Sequence, residues 1–132
     1  MTHKQAQRLF RKWTTILGFH GWKIECYTSA EEYISRDSYQ TGVMEEYGPY
    51  PQATIRIALA QGGEDDDENI EYVIVHELLH AKLIPLNGEH DRVCKLLGAE
   101  ASKLAYASWH DTQEFLVESF AKSLLEAYGY GN

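Results

Sequence analysis

The sequence predicts an α+β fold, on three observations: an amphipathic helical start, two short alternating segments typical of strands, and a second half dominated by helical periodicity. In residues 4–17, Leu9, Phe10, Trp13, Ile16 and Leu17 recur at the spacing of one buried helical stripe, closed by Gly18 and Gly21. Trp22 to Thr28 alternates, with Trp22, Ile24, Cys26 and Thr28 on one side and Lys23, Glu25 and Tyr27 on the other. Ala53 to Ala60 alternates too, with Ile55, Ile57 and Leu59 opposed to Arg56. Val43 to Tyr47 is a further short strand candidate, closed by Gly48, Pro49 and Pro51. The expected sheet is small and mixed.

Residues 62–69 form a polar connection. Its acids, Glu64 to Glu68, lack the alternating ligands of a helix–loop–helix calcium site and read as a solvated loop. Asn69 is the expected cap of the next helix, with Glu71 in its first turn, where the helix dipole favours negative charge. Ile70, Val73, Ile74, Glu77, Leu78 and Ala81 share one face of that helix, which Pro85 and Asn87-Gly88 end near Ile84. A second helical stretch, from Glu89 to Ser108, presents Val93, Leu96, Leu97, Ala101 and Leu104, with an interruption at Gly98. The last helix begins at Asp111 or Thr112. Phe115, Leu116, Ser119, Phe120, Ser123, Leu124 and Ala127 form its expected packing face, and Gly129 ends it.

Composition narrows the function classes. The chain has 132 residues, 44% of them apolar, which suits one compact domain over 1–132. No apolar run reads as a signal peptide or a membrane span, so a cytoplasmic setting is expected. Cys26 and Cys94 have no CxxC partner and read as two free thiols, with one disulfide as the alternative. A formal net charge of −8 argues against nucleic-acid partners and anionic membranes. Lys4, Arg8, Arg11 and Lys12 make the start locally basic; a solvated helix face is the simpler reading, and a nucleic-acid contact the alternative.

The chemistry concentrates at His76-Glu77-Leu78-Leu79-His80. On a helix, His80 lies about 40° round from His76 and one turn along, while Glu77 is about 100° from His76. Two neutral imidazoles can then hold one ion while the carboxylate between them serves as a general base, which is the division of labour in catalytic zinc sites. Ordinary partly buried histidines are the competing explanation. Against it, Glu77 falls on an apolar face, where an unpaired carboxylate costs several kcal/mol. Leu83 and Leu86 exclude a His-x-x-Gly-x-x-His extension. The candidates for a third ligand are His90, His110, Glu114 and Glu118, with no third protein ligand as the alternative. Glu114 and Glu118 are four apart and share a helix face, so one can bind metal while the other supports a ligating histidine. Glu114 also stands at the capping-box position after Asp111, and it is free for the metal if Thr112 is the cap.

With these residues the chain resembles a minimal zincin of the gluzincin type, similar to small phage and mobile-element metallopeptidases. The likeness rests on Gly21-Trp22-Lys23-Ile24-Glu25, on the strand from Ala53 to Leu59, on the helix from Tyr72 to Ala81, and on the final helix from Glu114 to Leu125. It implies a zincin-like domain whose C-terminal helix carries the third ligand, Glu114, with Glu118 as its support or as an alternative ligand. It further implies zinc as cofactor, Glu77 as general base, a peptide or protein as substrate, and a strand edge at Ala53–Ala60 that pairs with extended peptide. His110, Tyr106, Tyr128 and His90 are the candidates for stabilising a developing oxyanion. The rival function is a non-catalytic, zinc-containing regulatory or protein-binding domain, and a nucleic-acid-associated peptidase is a third.

Overall fold

The computed structural model describes residues 1–29, 52–59 and 67–131. Within them the chain forms α1 (His3–Ile16), β1 (Lys23–Ser29), β2 (Gln52–Ala58), α2 (Asp67–Lys82), α3 (Ile84–Cys94) and α4 (Ala99–Tyr128). The fold is α+β, with an N-terminal helix, a small sheet, a helix bearing the His-Glu-x-x-His segment, and a C-terminal helix bearing Glu114. The expected strand at Val43–Tyr47 lies outside the described residues.

Helix α1 starts one residue earlier than its apolar stripe suggests, because Thr2 and Gln5 form a reciprocal capping box. Ala6, Leu9, Phe10 and Trp13 are its buried stripe. It ends where Gly18 takes a φ of 72°, the left-handed conformation that glycine adopts at little cost after a helix. The two strands pair in parallel, with Ile24 opposite Ala53 and Cys26 opposite Ile55. The alternating faces are as expected: Cys26, Ala53, Ile55 and Ile57 are buried against α1 and α2, while Lys23, Glu25 and Tyr27 face outward. Gln7 donates to the Cys26 carbonyl (2.7 Å), which ties α1 to β1.

Helix α2 departs from expectation at both ends. It begins at Asp67, so Asn69 lies inside the first turn instead of capping it; Asp67 and Glu68 supply the negative charge there. Glu71 is not a solvated first-turn acid. It is 2% exposed and accepts from Lys12 Nζ (2.9 Å), the Trp13 indole (2.7 Å) and the Gly131 amide (2.7 Å). Lys12 also donates to the Gly129 and Gly131 carbonyls, so it is no part of a solvated basic face; Lys4, Arg8 and Arg11 are. At the other end α2 stops at Lys82, two residues short of Ile84. Pro85 and Asn87-Gly88, however, do not form a turn. They lie in the first turns of α3, where a proline lacks nothing a helix start would use.

The largest difference concerns α4, which is one helix of 30 residues. Neither Asp111 nor Thr112 starts a helix; both sit inside it, and Gly98 marks the only break after α3 among the described residues. Its buried positions are Gln113, Val117, Ala121 and Leu125. The expected packing face is displaced: Phe115, Leu116 and Phe120 are exposed, as are Val93, Leu96, Leu97 and Leu104 on the preceding stretch. The reason is steric. Ala121, with Val117 and Leu125 one turn either side, lets the α4 backbone approach α2 closely, which an aromatic stripe does not. Cys26 and Cys94 are both free and buried, and burial pushes the Cys26 thiol up to about 12. Among the described residues no helix is long and apolar enough to cross a membrane.

The Glu71 cluster yields a stability test. Glu71→Ala leaves the Lys12 ammonium and the Trp13 and Gly131 N–H groups without their shared acceptor, and a broken buried pair costs about 3–5 kcal/mol. Urea unfolding should show a loss of at least about 2 kcal/mol, discounted because Lys12 is partly exposed. Glu71→Gln, which keeps an acceptor oxygen, should recover part of it.

Candidate metal centre

His76 and His80 stand on successive turns of α2, and Glu114 meets them from the middle of α4. Because residues 111–114 are interior to α4, Glu114 has no capping role to perform and its side chain is free to face α2. Its carboxylate lies 2.7 Å from His80 Nε2 and 3.7 Å from His76 Nε2. The two Nε2 atoms are 3.2 Å apart. One donor atom from each of the three residues falls within 4.8 Å of the others. Tetrahedral zinc with Zn–N bonds near 2.05 Å separates two nitrogen ligands by about 3.3 Å. The His76–His80 spacing fits that edge, and the cluster is geometrically suited to chelate a metal ion.

The electrostatics fit as well. Burial lowers the pKa of His76 against the raising charges of Glu114 and Glu118. Burial also lowers that of His80, aided by His76 and His110 and opposed by Glu114. Both imidazoles are therefore held neutral at neutral pH, the form whose lone pair binds a metal. His76 Nδ1 is buried and has no hydrogen-bond partner among the described residues.

Glu77, between the histidines, is 7% exposed. Its carboxyl is pushed up to about 8, first by burial and then by the charge of Glu114. Among the described residues no lysine or arginine pairs with it. This is the buried acid without a basic partner that the sequence pattern implied; metal-free it keeps its proton at neutral pH, and a cation beside it would favour the ionised form.

The other expected participants are distributed unevenly. Glu118 is exposed, one turn along α4 from Glu114 and outside the cluster; it acts on His76 through its charge. His110, one turn the other way, is exposed and acts similarly on His80. His90 is built into the packing of α3 on α4: it stacks on Trp109 (4.9 Å, 16°), meets Tyr106 edge-on, and lies 3.6 Å from the Cys94 sulfur. Tyr106 is engaged by Asp91, whose hydrogen bond raises its pKa. Tyr128 packs edge-on against Trp13, near the Glu71 cluster. One residue was missed by reading the sequence. Tyr72 lies one turn before His76, with ring centroids 5.8 Å apart, and burial together with Glu118 and Glu114 raises its hydroxyl. Its spacing of four from His76 is a signal that could have found it.

Comparison with family models, with curated proteins and with solved structures gives no match. The geometry of the three side chains and of Glu77 therefore carries the functional argument.

These shifts set a pH dependence for the metal-free protein. Glu77 has a folded pKa above its ordinary value, so the folded state keeps a proton that the unfolded state gives up. Stability from this group is full below about 4.5 and is lost as pH rises to about 8. The histidines have lowered folded values, so their contribution is lost as pH falls through the ordinary histidine range. With metal removed by a chelator, Glu77→Gln should raise the melting temperature over wild type at pH 8 and not at pH 4. An equal gain at both values contradicts the assignment of Glu77 as a buried acid without a basic partner.

Proposed function

We propose that this protein is a zinc-dependent peptidase whose site is His76, His80, Glu114 and Glu77. The observation that carries the reading is the 3.2 Å separation of the two imidazole nitrogens, with the Glu114 carboxylate 2.7 Å from one of them and a buried acid between them in sequence. Two neutral histidines and one carboxylate make the donor set of a catalytic rather than a structural zinc site, since structural sites draw four ligands, mostly thiolates. Zinc is the metal that this set favours by ligand type. When bound, it supplies a Lewis acid that acidifies a water and polarises a carbonyl.

The residues of the chain then have separate tasks. His76, His80 and Glu114 hold the ion from two helices. With a bound cation favouring its ionised form, Glu77 would take the proton of the attacking water and return it to the departing amine. Glu118 lends negative charge beside His76 without joining the ligands. Of the groups considered for the developing oxyanion, His110 alone stands beside the cluster, and it is the donor assigned here. The packing of α1, β2 and α4 around α2 supports reading residues 1–132 as one domain. The resemblance to small phage and mobile-element metallopeptidases supports a cytoplasmic enzyme acting on a peptide or protein.

Metal analysis beside cleavage assays tests this reading. The purified chain should carry about one zinc per molecule, and His80→Ala and Glu114→Ala should each lose at least 90% of it, since removing one of three protein ligands sacrifices most of the affinity. Glu77→Gln should retain zinc while its peptide-cleavage rate falls by about 10²-fold or more. Full zinc in Glu114→Ala removes that residue from the ligand set. Cleavage profiles identical for wild type and Glu77→Gln leave the rival reading, a non-catalytic zinc domain.

A further inference from the structure

Helices α2 and α4 run antiparallel: Glu114 meets His76 and His80, while Gly131, just beyond the end of α4, meets Glu71 near the start of α2. Residues four apart stack along one face of a helix, about 6 Å per step. Helix α2 thus presents Tyr72, His76 and His80 in a row, and α4 presents Glu118, Glu114 and His110 in the opposite order. The middle of this double row is the metal-holding cluster. At one end, Tyr72 and Glu118 have no part in that cluster.

Several observations describe this end. The Tyr72 ring is 5.8 Å from the His76 ring and partly exposed, and the Glu118 carboxylate is exposed. Glu118 lies one turn along α4 from Glu114, whose carboxylate is 3.7 Å from His76 Nε2, and its charge reaches both Tyr72 and His76. Glu118 forms no ion pair with Lys122 one turn on, nor with any other described lysine or arginine. An exposed carboxylate on α4 and a partly exposed ring on α2 are therefore each about one helical turn from the metal ligands.

We propose that Tyr72 and Glu118 form a subsite for a cationic group of the substrate, an ammonium or guanidinium one to two residues from the bond that is cut. The carboxylate supplies the charge, and the ring supplies a π face that attracts cations within about 6 Å. An extended peptide advances about 3.3 Å per residue, so one helical turn spans one to two residues from the metal cluster. With zinc held by Glu114 and Glu77 ionised, the two carboxylates would offset the charge of the ion, and Glu118 would remain as the local negative charge that disfavours an anionic group. The inference rests on the reading of the cluster as a peptidase centre, and names what that centre selects.

The test uses the zinc-loaded full chain and matched peptides. One pair places lysine or norleucine beside the cleaved bond; a second pair has a free or an acetylated amino terminus, which separates a side-chain cation from a terminal one. Wild type should prefer the cationic member of at least one pair by about tenfold in kcat/KM, mainly through KM, as expected for an ionic contact beside a ring. Glu118→Gln should shrink that ratio to about twofold and Glu118→Lys should invert it in favour of the uncharged member, with zinc content held. Tyr72→Phe should keep the ratio and Tyr72→Leu should reduce it. A second readout is binding of the same peptides to zinc-loaded Glu77→Gln, followed by calorimetry. If no peptide is cleaved but cationic peptides bind in a Glu118-dependent way, the peptidase reading fails and the subsite stands. If wild type cleaves or binds both members of each pair equally, or Glu118→Gln keeps the full ratio, the subsite is overturned.

Discussion

Lys12, the Trp13 indole and the Gly131 amide converge on the carboxylate of Glu71, and that convergence ties α1 and the segment after α4 to the first part of α2. A carboxylate at 2% exposure persists only if charge and hydrogen bonds replace its water. Glu71 receives one cation and two N–H donors, drawn from α1 and from the segment after α4. This fixes the rotation of α2 about its own axis. With Glu71, Val75 and Leu78 turned inward, the 100° step per residue carries His76 and His80 roughly 140–180° round from Glu71, onto the flank that faces α4. The same contact fixes the far end of α4, and so decides that Glu114 is the residue opposite the two histidines.

Two buried acids on one helix invite comparison. Glu71 and Glu77 lie six residues apart and are both shielded from water, yet their surroundings differ. Glu71 is matched by donors on several sides and serves the fold. Glu77 has no basic partner among the described residues, and its proton is held more tightly than an ordinary carboxyl's. The fold solvates one buried carboxylate with protein groups and leaves another, next to His76 in sequence, to rely on its own proton. A cation beside it would release that proton. This contrast, within one helix, argues more strongly for chemistry at Glu77 than the sequence motif does alone.

Local periodicity made α1, both strand faces and the His-Glu-x-x-His helix legible from the sequence, because each has one apolar stripe and one arrangement that buries it. The rest depended on choices between two locally acceptable options. Asp111 and Thr112 are good caps, but nothing local says whether the helix through them is interrupted; packing on α2 keeps it continuous. Helix α4 has an aromatic stripe through Phe115 and Phe120 and a slimmer one through Val117, Ala121 and Leu125, and the tight approach to α2 selects the second. The pairing of Glu71 with Lys12 spans 59 positions, and no short-range pattern announces it. Glu114 was legible because two acids four apart had to face something, and Tyr72 was overlooked because tyrosine is so often only a packing residue.

The site gains its rigidity from how α2 is held at both ends. Glu71 anchors the first part of the helix, as described. At the other end, Lys82 donates to the Gly18 carbonyl (2.6 Å), with its ammonium 4.8 Å from the Phe19 ring and 5.5 Å from the Trp22 ring. The ammonium complements the negative end of the helix dipole and ties α2 to the turn after α1. His76, Glu77 and His80 all lie between these two anchors, on about three turns of continuous helix. Glu114 is likewise far from either end of α4, on backbone that is hydrogen-bonded in both directions. Ligands carried on fraying ends would need ordering each time a metal bound. Here the donor atoms are spaced for it by contacts that involve no metal, so the energy of binding need not be spent on arranging them.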